Sequence, residues 1–447
     1  MTDMTNASAK PAHSILTGST EMRRRNAAER RFKAYGLIAI SISLGVLAIM
    51  LWTIFADGVS AFRQAKVNLP ITLSAEVLDP KGNLNRDEMA KVTTIGYGKL
   101  ITAALTVELQ AQGISTEGLS KKEIEGLLSK DAPGVLRAEV LADPSMVGTS
   151  QIRSVLAAGR IDGYLKGRVT RETAVRDKQI SPAMLDVADQ MIAKGMLSAP
   201  FNTRFLTNPD ASDLRPEAAG LGVAILGSAY MMLLVALICV PLGVAASIYL
   251  EEFAPKNRLT DIIEVNISNL AAVPSIVFGI LGLAVFINFV GLPQSSSIVG
   301  ALVISLMILP TIIIATRAAI RAVPPSIRDA ALGIGASKMQ TVFHHVLPLA
   351  MPGILTGAIL GLATALGETA PLLLIGMVAF VDNYPAAPTD GFFDPATALP
   401  VQVYSWASRS DPAFIERSNG AIIVLLVFLV AMNVTAILLR RKFERRW

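Results

Sequence analysis

Charge is scarce in this chain: Asp, Glu, Lys and Arg make up 17 % of its 447 residues, where soluble domains carry about 25 %. With 52 % hydrophobic residues and a mean hydropathy of +0.52, the chain has surplus apolar surface that needs lipid, which excludes a wholly soluble protein. Cysteine is nearly absent. The single Cys239 sits in an apolar run, so no disulfide can form within the chain, and it reads as a small buried hydrophobe rather than a redox centre. His344 and His345 are adjacent, about 100° apart on a helix, whereas zinc sites on helices use i, i+4 spacing; they read as surface or interface side chains. No G-x-x-x-x-G-K-[ST] occurs, so the chain has no P-loop to cradle nucleotide phosphates.

What is abundant is long apolar sequence. Six runs approach the roughly 20 residues that a bilayer requires: Tyr35–Phe55, Leu221–Tyr249, Leu270–Val290, Ile298–Ala315, Ile354–Phe380 and Ala421–Leu439. The first exceeds the apolar core of a signal peptide, about 7–15 residues, and is expected to stay as an anchor. Basic clusters orient the runs. Arg23, Arg24, Arg25, Arg30, Arg31 and Lys33 precede the first; Arg317, Arg321, Arg328 and Lys338 follow the fourth; Arg440, Arg441, Lys442, Arg445 and Arg446 follow the last. Six spans put all three on one side, which the positive-inside rule makes cytoplasmic, together with both termini. The Lys256/Arg258 loop falls on that side too, diluted by Glu251, Glu252, Asp261 and Glu264. Beside membrane spans these basic ends are not read as nucleic-acid tails.

Residues 57–220 then face outward as a domain of soluble composition. "ITLSAEVLD" (Ile71 to Asp79) alternates like a half-buried strand. "SKKEIEGLLSK" opens with a capping box, Ser120 to Glu123, and Pro182 starts a helix with an apolar stripe of Met184, Leu185, Val187 and Met191. The expected result is a small α+β domain with a structural or docking role. It has no cysteine, no histidine and no metal-ligand cluster.

Between the fourth and fifth runs lies a polar insert, "RDAALGIGASKMQTVFHHVLPLAMPGI" (Arg328 to Ile354). After Pro324 and Pro325, Ile327, Ala330, Ala331 and Ile334 fall at helical spacing; Gly333 and Gly335 allow a turn. Ser337 and Gln340 form a second capping box before a stripe of Met339, Val342, Phe343 and Val346, and Leu347-Pro348 is expected to end that helix. Two helices so short and one-sided must rest on lipid, on their own bundle, or in a partner's groove.

The order Asp329-Ala330-Ala331, Gly335, Leu347-Pro348 resembles the "EAA" loop of permease subunits of bacterial ABC importers, with Asp329 in place of the usual Glu and His345 at a position usually aliphatic. That resemblance implies a coupling helix that docks into a cleft of a separate ATPase subunit. "LATALGETAPLLLIGM" (Leu362 to Met377), "LGVAASIYLEEFAP" (Leu242 to Pro255) and "LAAVPSIVFGILGLAVF" (Leu270 to Phe286) resemble the A-type permease of phosphate-specific importers. The likeness covers roughly residues 200–445; ordinary members have a much shorter segment after the first span.

Glu368 falls within the fifth run, where an acidic residue costs about 2.5–3.5 kcal/mol on insertion scales and points to function. Gly367, Glu368 and Thr369, loosened by Pro371, are candidates for the pathway or gate; the other reading is a structural pair with a neighbouring span. Arg317 and Arg321, at i, i+4, share a face whose planar donor forks suit phosphate, or else they snorkel at the membrane edge.

The sequence thus predicts an all-α polytopic membrane protein of six spans with the ABC importer permease fold and an inserted periplasmic α+β domain. Its expected divisions are a cytoplasmic tail 1–34, a first span 35–56, the outer domain 57–220, the permease domain 221–439 with its coupling loop 317–352, and a basic tail 440–447. No catalytic residue, metal or cofactor is assigned to this chain. The resemblance implies a second permease subunit, two copies of an ATPase carrying ATP and Mg, a periplasmic phosphate-binding protein, and a bacterial inner membrane. The alternatives are the other permease of the same importer, a permease for a related oxyanion, or a membrane-anchored sensor.

Overall fold

A computed structural model describes residues 20–377 and 380–443. Arg445 and Arg446 of the last basic cluster, and Val378 and Ala379 near the end of the fifth apolar run, lie outside the described residues. Residues 1–56 and 57–447 form two units. The first holds most of helix α1, Thr20–Gly58, whose 39 residues extend about 58 Å, well beyond a hydrocarbon core of about 30 Å. Ile38, Leu44, Ile49 and Trp52 on it are exposed, as side chains meant for lipid would be.

The domain that follows is built on a three-stranded antiparallel sheet of β1 (Lys66–Thr72), β2 (Ser150–Leu156) and β3 (Leu197–Ser198), with β1 in the middle. Lys66 lies opposite Leu156 and Thr72 opposite Ser150. Val67, Leu69 and Ile71 point inward at the period of two that a strand imposes. They meet α2 (Thr94–Ala111), which buries Tyr97, Ile101, Leu105 and Leu109, a stripe of one residue every fourth position. The expected strand Ile71–Asp79 is corrected: pairing ends at Thr72, and Ala75–Leu78 forms a helical turn. Continued alternation would bury Val77 and expose Leu78; the turn does the reverse and places Leu78 in the core. The expected capping box is present: Ser120 and Glu123 cap α3 (Lys121–Glu125), which precedes α4 (Ala132–Ala142). Past α5 (Gly159–Leu165), helix α6 (Pro182–Ala193) starts at Pro182 behind an N-cap Ser181, and Met184, Leu185, Val187 and Met191 are buried.

The bundle comprises α7 (Gly222–Phe253), α8 (Arg258–Ala271), α9 (Ser275–Phe289), α10 (Ser297–Arg321), α11 (Pro325–Gly333), α12 (Lys338–Gly367), α13 (Ala370–Leu374), α14 (Leu399–Ala407) and α15 (Pro412–Phe443). Among the described residues five helices are long and apolar enough to cross a membrane, and six if the bent pair α8–α9 counts as one span. Helix α10 is central, packed against both α7 and α12. Gly353, Gly357 and Gly361 of α12 face Ala319, Ala315 and Ile312 of α10, where a Cβ would collide or crowd. Missing side chains let the two backbones approach, the usual solution between membrane helices. Where α7 packs on α10, Cys239 is fully buried, its thiol donating to the Ser305 carbonyl at 3.3 Å.

Two expected spans, the third and the fifth, are broken or bounded differently. The run Leu270–Val290 is not one helix: it breaks at Ala272–Pro274, and α8 and α9 meet at 101°. Pro274 lacks the N–H that a continuing helix needs. Helix α8 is amphipathic, with Leu259, Ile262, Ile263 and Leu270 exposed. The fifth span begins at Lys338 rather than Ile354, because Leu347-Pro348 does not end the preceding helix. The widened π turn Thr341–Val346 just before it shifts the bonding pattern, so Pro348 enters without an i−4 clash. The same span stops at Gly367 rather than Phe380.

Candidate functional site

The insert is anchored first by Arg328. Its guanidinium donates to Glu252 on α7 at 2.7 and 3.0 Å and to the carbonyls of Ile320 and Val323 at 3.0 and 2.8 Å. Four bonds leave the short helix α11 little freedom against the ends of α7 and α10. Asp329 and Ala330 are exposed, and Ala331 is buried. Gly335 adopts φ +92°, a left-handed conformation that side-chain-bearing residues rarely take, and Ser337 and Gln340 form the expected capping box at the start of α12.

The insert has two faces. Val342 and Val346 pack with Ile320, Val323 and Ile354 into the chain's own bundle, with Ile327 beside them. On the other face Leu332, Ile334, Met339 and Phe343 are exposed, Ile334 at 82 %. Thus Ile334, Met339 and Phe343, which periodicity groups with the packed residues, point away from them. His344 and His345 are exposed as well, while Leu347 and Pro348 are half-buried within α12.

Arg317 and Arg321 are committed to acids at the same end of the bundle. Arg317 bonds Glu264 of α8 at 2.5 Å and Glu251 of α7 at 3.3 Å; Arg321 bonds Glu251 at 2.7 Å. Sequence reasoning missed Glu251, Glu252 and Glu264 as their counter-ions and treated them only as dilution of the basic loop. The signal was present: a Glu-Glu pair ending one apolar run on the same side as three arginines ending another.

Glu368 lies elsewhere, and not within a continuous helix. Its backbone is extended, at φ −78° and ψ 127°, and its N–H still reaches the Ala365 carbonyl at 3.3 Å. The chain resumes as the one-turn helix α13 after Thr369, and turns at Gly376, φ +91°. Pro371 cannot donate to the Gly367 carbonyl, and Gly367 holds helix poorly, so the span opens there. The Ser295 hydroxyl secures the resumed segment by donating to the Gly376 carbonyl at 2.6 Å. The Glu368 side chain is half-buried and makes no hydrogen bond or ion pair among the described residues. Since Gly361 faces Ile312, Glu368 lies on the order of 18 Å along the bundle from Arg317. Gly367, Glu368 and Thr369 therefore form one group and Arg317 with Arg321 another.

Two stretches of the chain match known families. Residues 19–175 match a domain of unknown function (DUF3333), and residues 239–447 match the binding-protein-dependent transport system inner membrane component. A probable ABC transporter permease protein, YqgI of Bacillus subtilis, is 34 % identical over 229 residues, 49 % of this chain and 78 % of the relative. The phosphate transport system permease protein PstA 1 of Mycobacterium tuberculosis is 31 % identical over 51 % of this chain and 73 % of its own. PstA of Xylella fastidiosa is 32 % identical over 51 % and 77 %. An inward-facing MetNI methionine ABC transporter structure overlaps 50 % of the chain with a TM-score of 0.39 at 16 % identity. The chain belongs to the ABC transporter permeases, as a multi-pass, non-catalytic inner-membrane component of a binding-protein-dependent transport system.

Proposed function

We propose that this chain is the A-type permease of an ATP-driven importer of inorganic phosphate. The observation that carries the substrate is the likeness of the bundle to relatives named as phosphate transport permeases. In this reading a second permease subunit completes the pathway and two ATPase subunits supply ATP and Mg. The domain 57–220 faces an external phosphate-binding protein, and both termini are cytoplasmic.

The insert is the coupling element: Asp329, Ala330, Ala331 and Gly335 shape a loop whose open apolar face, around Ile334 and Met339, suits a partner's cleft. Leu347 and Pro348 contribute by continuing that loop into α12, so a push on the loop moves a membrane helix directly. Gly367, Glu368 and Thr369 form the gate, where a broken helix exposes backbone groups to the pathway. The Glu368 carboxylate, without an ion pair among the described residues, repels phosphate and opposes tight trapping. Arg317 and Arg321, a separate group on the order of 18 Å from Glu368, enter at the cytoplasmic end of the pathway, held by Glu251 and Glu264.

The test is uptake of radiolabelled phosphate into proteoliposomes that hold the co-purified complex and its binding protein. ATP-dependent uptake that excess sulfate does not suppress is expected. Uptake of another oxyanion in preference to phosphate overturns the substrate assignment.

A further inference from the structure

The domain 57–220 is fastened to the head of α15 by buried charges. Lys166 lies just past α5, its Nζ 2.8 Å from Asp162 Oδ2 and 2.8 Å from Glu416 Oε1. Arg168 Nε approaches Glu416 Oε2 at 2.5 Å, and its Nη2 approaches Asp162 Oδ2 at 3.2 Å. The side chains of Asp162, Lys166 and Glu416 are 3, 7 and 4 % exposed, so water screens little of this balanced set of two acids and two bases. Arg417, the next residue of α15, donates to the carbonyls of Ala219 and Glu217 at 2.7 and 2.9 Å and to Gln64 at 2.9 Å. Beside them Phe205 stacks on Trp406 with ring centroids 6.1 Å apart, and Phe414 follows, closing the junction with apolar surface. Domains joined by a small polar interface swing by default. Here buried ion pairs and aromatic packing hold one orientation, since parting them strands charge away from water.

Helix α15 runs from this junction to the other end of the bundle, about 48 Å for its 32 residues. There Arg440 donates to the Thr356 hydroxyl of α12 at 3.1 Å. Helix α12 is the one that begins in the insert, at Lys338.

We propose that α15 is a rod linking the domain 57–220 to the coupling loop, so that movement at either end is felt at the other. The domain is then a working end of the transport cycle, and a protein docking on it biases the state of the ATPase. The proposal rests on the coupling role assigned to the insert above, but not on phosphate as the substrate. Linkage between two sites is reciprocal, so the rod is testable from the nucleotide end.

Hydrogen exchange is measured on the assembled complex with its co-purified ATPase, without nucleotide and with ATP plus vanadate. In the parental complex ATP is expected to change protection both in the insert, residues 325–346, and in the outer segment, residues 159–177. The variant Lys166→Met/Glu416→Gln keeps the cluster's charge balanced but removes the Lys166–Glu416 pair. It is expected to keep basal ATP hydrolysis and the response in the insert, while losing most of the outer response. If the double variant fails to assemble, Glu416→Asp, which shortens the acid and keeps its charge, is held to the same criteria. A parental complex that responds in the insert alone overturns the rod, as does a variant whose outer response is intact. Absence of a response in the insert overturns the coupling role and the rod with it. Loss of phosphate uptake by the parental complex would refute the substrate reading alone and leave the exchange result standing.

Discussion

Arg328 and Glu252 join the short helix of the insert to the end of α7, with two guanidinium nitrogens at 2.7 and 3.0 Å from one carboxylate oxygen. The Glu252 side chain is only 9 % exposed, so losing its partner leaves a poorly solvated charge. Arg328→Ala is expected to cost about 2 kcal/mol, the scale of a charged hydrogen bond whose partner stays buried. The expected result is a lower melting temperature and less ATPase recovered per permease on purification. Unchanged recovery and melting would show that Arg328 does not position the insert.

Gly335 tests the turn. At φ +92° a β-branched residue is strained by at least the 1–2 kcal/mol or so of the left-handed region, with no neighbouring atom within 4 Å to add a clash. Gly335→Val is therefore expected to leave the spans inserted and yield near parental while ATP-driven transport falls severalfold. A variant made in normal amount that transports at the parental rate removes the insert from coupling.

Glu368 has two readings, and they separate on uptake per assembled complex. Glu368→Gln retains shape and hydrogen-bonding capacity without the charge. With no ion pair to lose among the described residues, the substitution is expected to change stability by less than about 1 kcal/mol and to reduce phosphate uptake at least tenfold. Lower yield with normal uptake by the surviving complexes would make Glu368 a structural residue.

Topology can be read with reporter fusions. The hydroxyl of Tyr384 donates to the Thr207 carbonyl at 2.5 Å, so the segment after α13 lies beside the chain that leads from β3 into α7. Reporters after Ala61 and after Pro385 are expected to report the external side, and one after Ser337 the cytoplasm. An external signal at Ser337 breaks the assignment of sides and the docking of an ATPase there.

Glu217 gives the domain a pH dependence. The residue is 6 % exposed, its carboxylate accepts from the Ser129 hydroxyl at 2.5 Å, and burial raises its pKa above the ordinary 4.5. A carboxyl whose folded pKa is raised favours the folded state below its unfolded value, and this contribution is lost as pH rises through the folded value. Glu217→Gln is thus expected to raise the melting temperature at neutral pH, with the gain shrinking toward zero in acid. A gain independent of pH would place the effect in packing instead.

Much of this protein is legible along the chain because lipid imposes a simple rule. An apolar run of about 20 residues has few alternatives to a spanning helix. Capping boxes are equally local: Ser120 with Glu123 and Ser337 with Gln340 involve bonds across three residues, and both form as expected. The turn at Gly335 and the burial of Cys239 follow from residue type in the same way.

What local pattern could not decide is where helices stop and which charges meet. Pro348 and Pro371 carry the same missing N–H, yet the first is absorbed behind a π turn and the second follows an open break. The difference depends on whether neighbouring helices re-satisfy the freed groups. Arg317 finds Glu251 and Glu264 across 66 and 53 residues, and Lys166 finds Glu416 across 250. Hydrophobic periodicity records which face of a helix is buried, but an ion pair depends on the rotation and axial offset of two packed helices. Those are set by close contacts such as Gly357 on Ala315, which only the folded chain brings together.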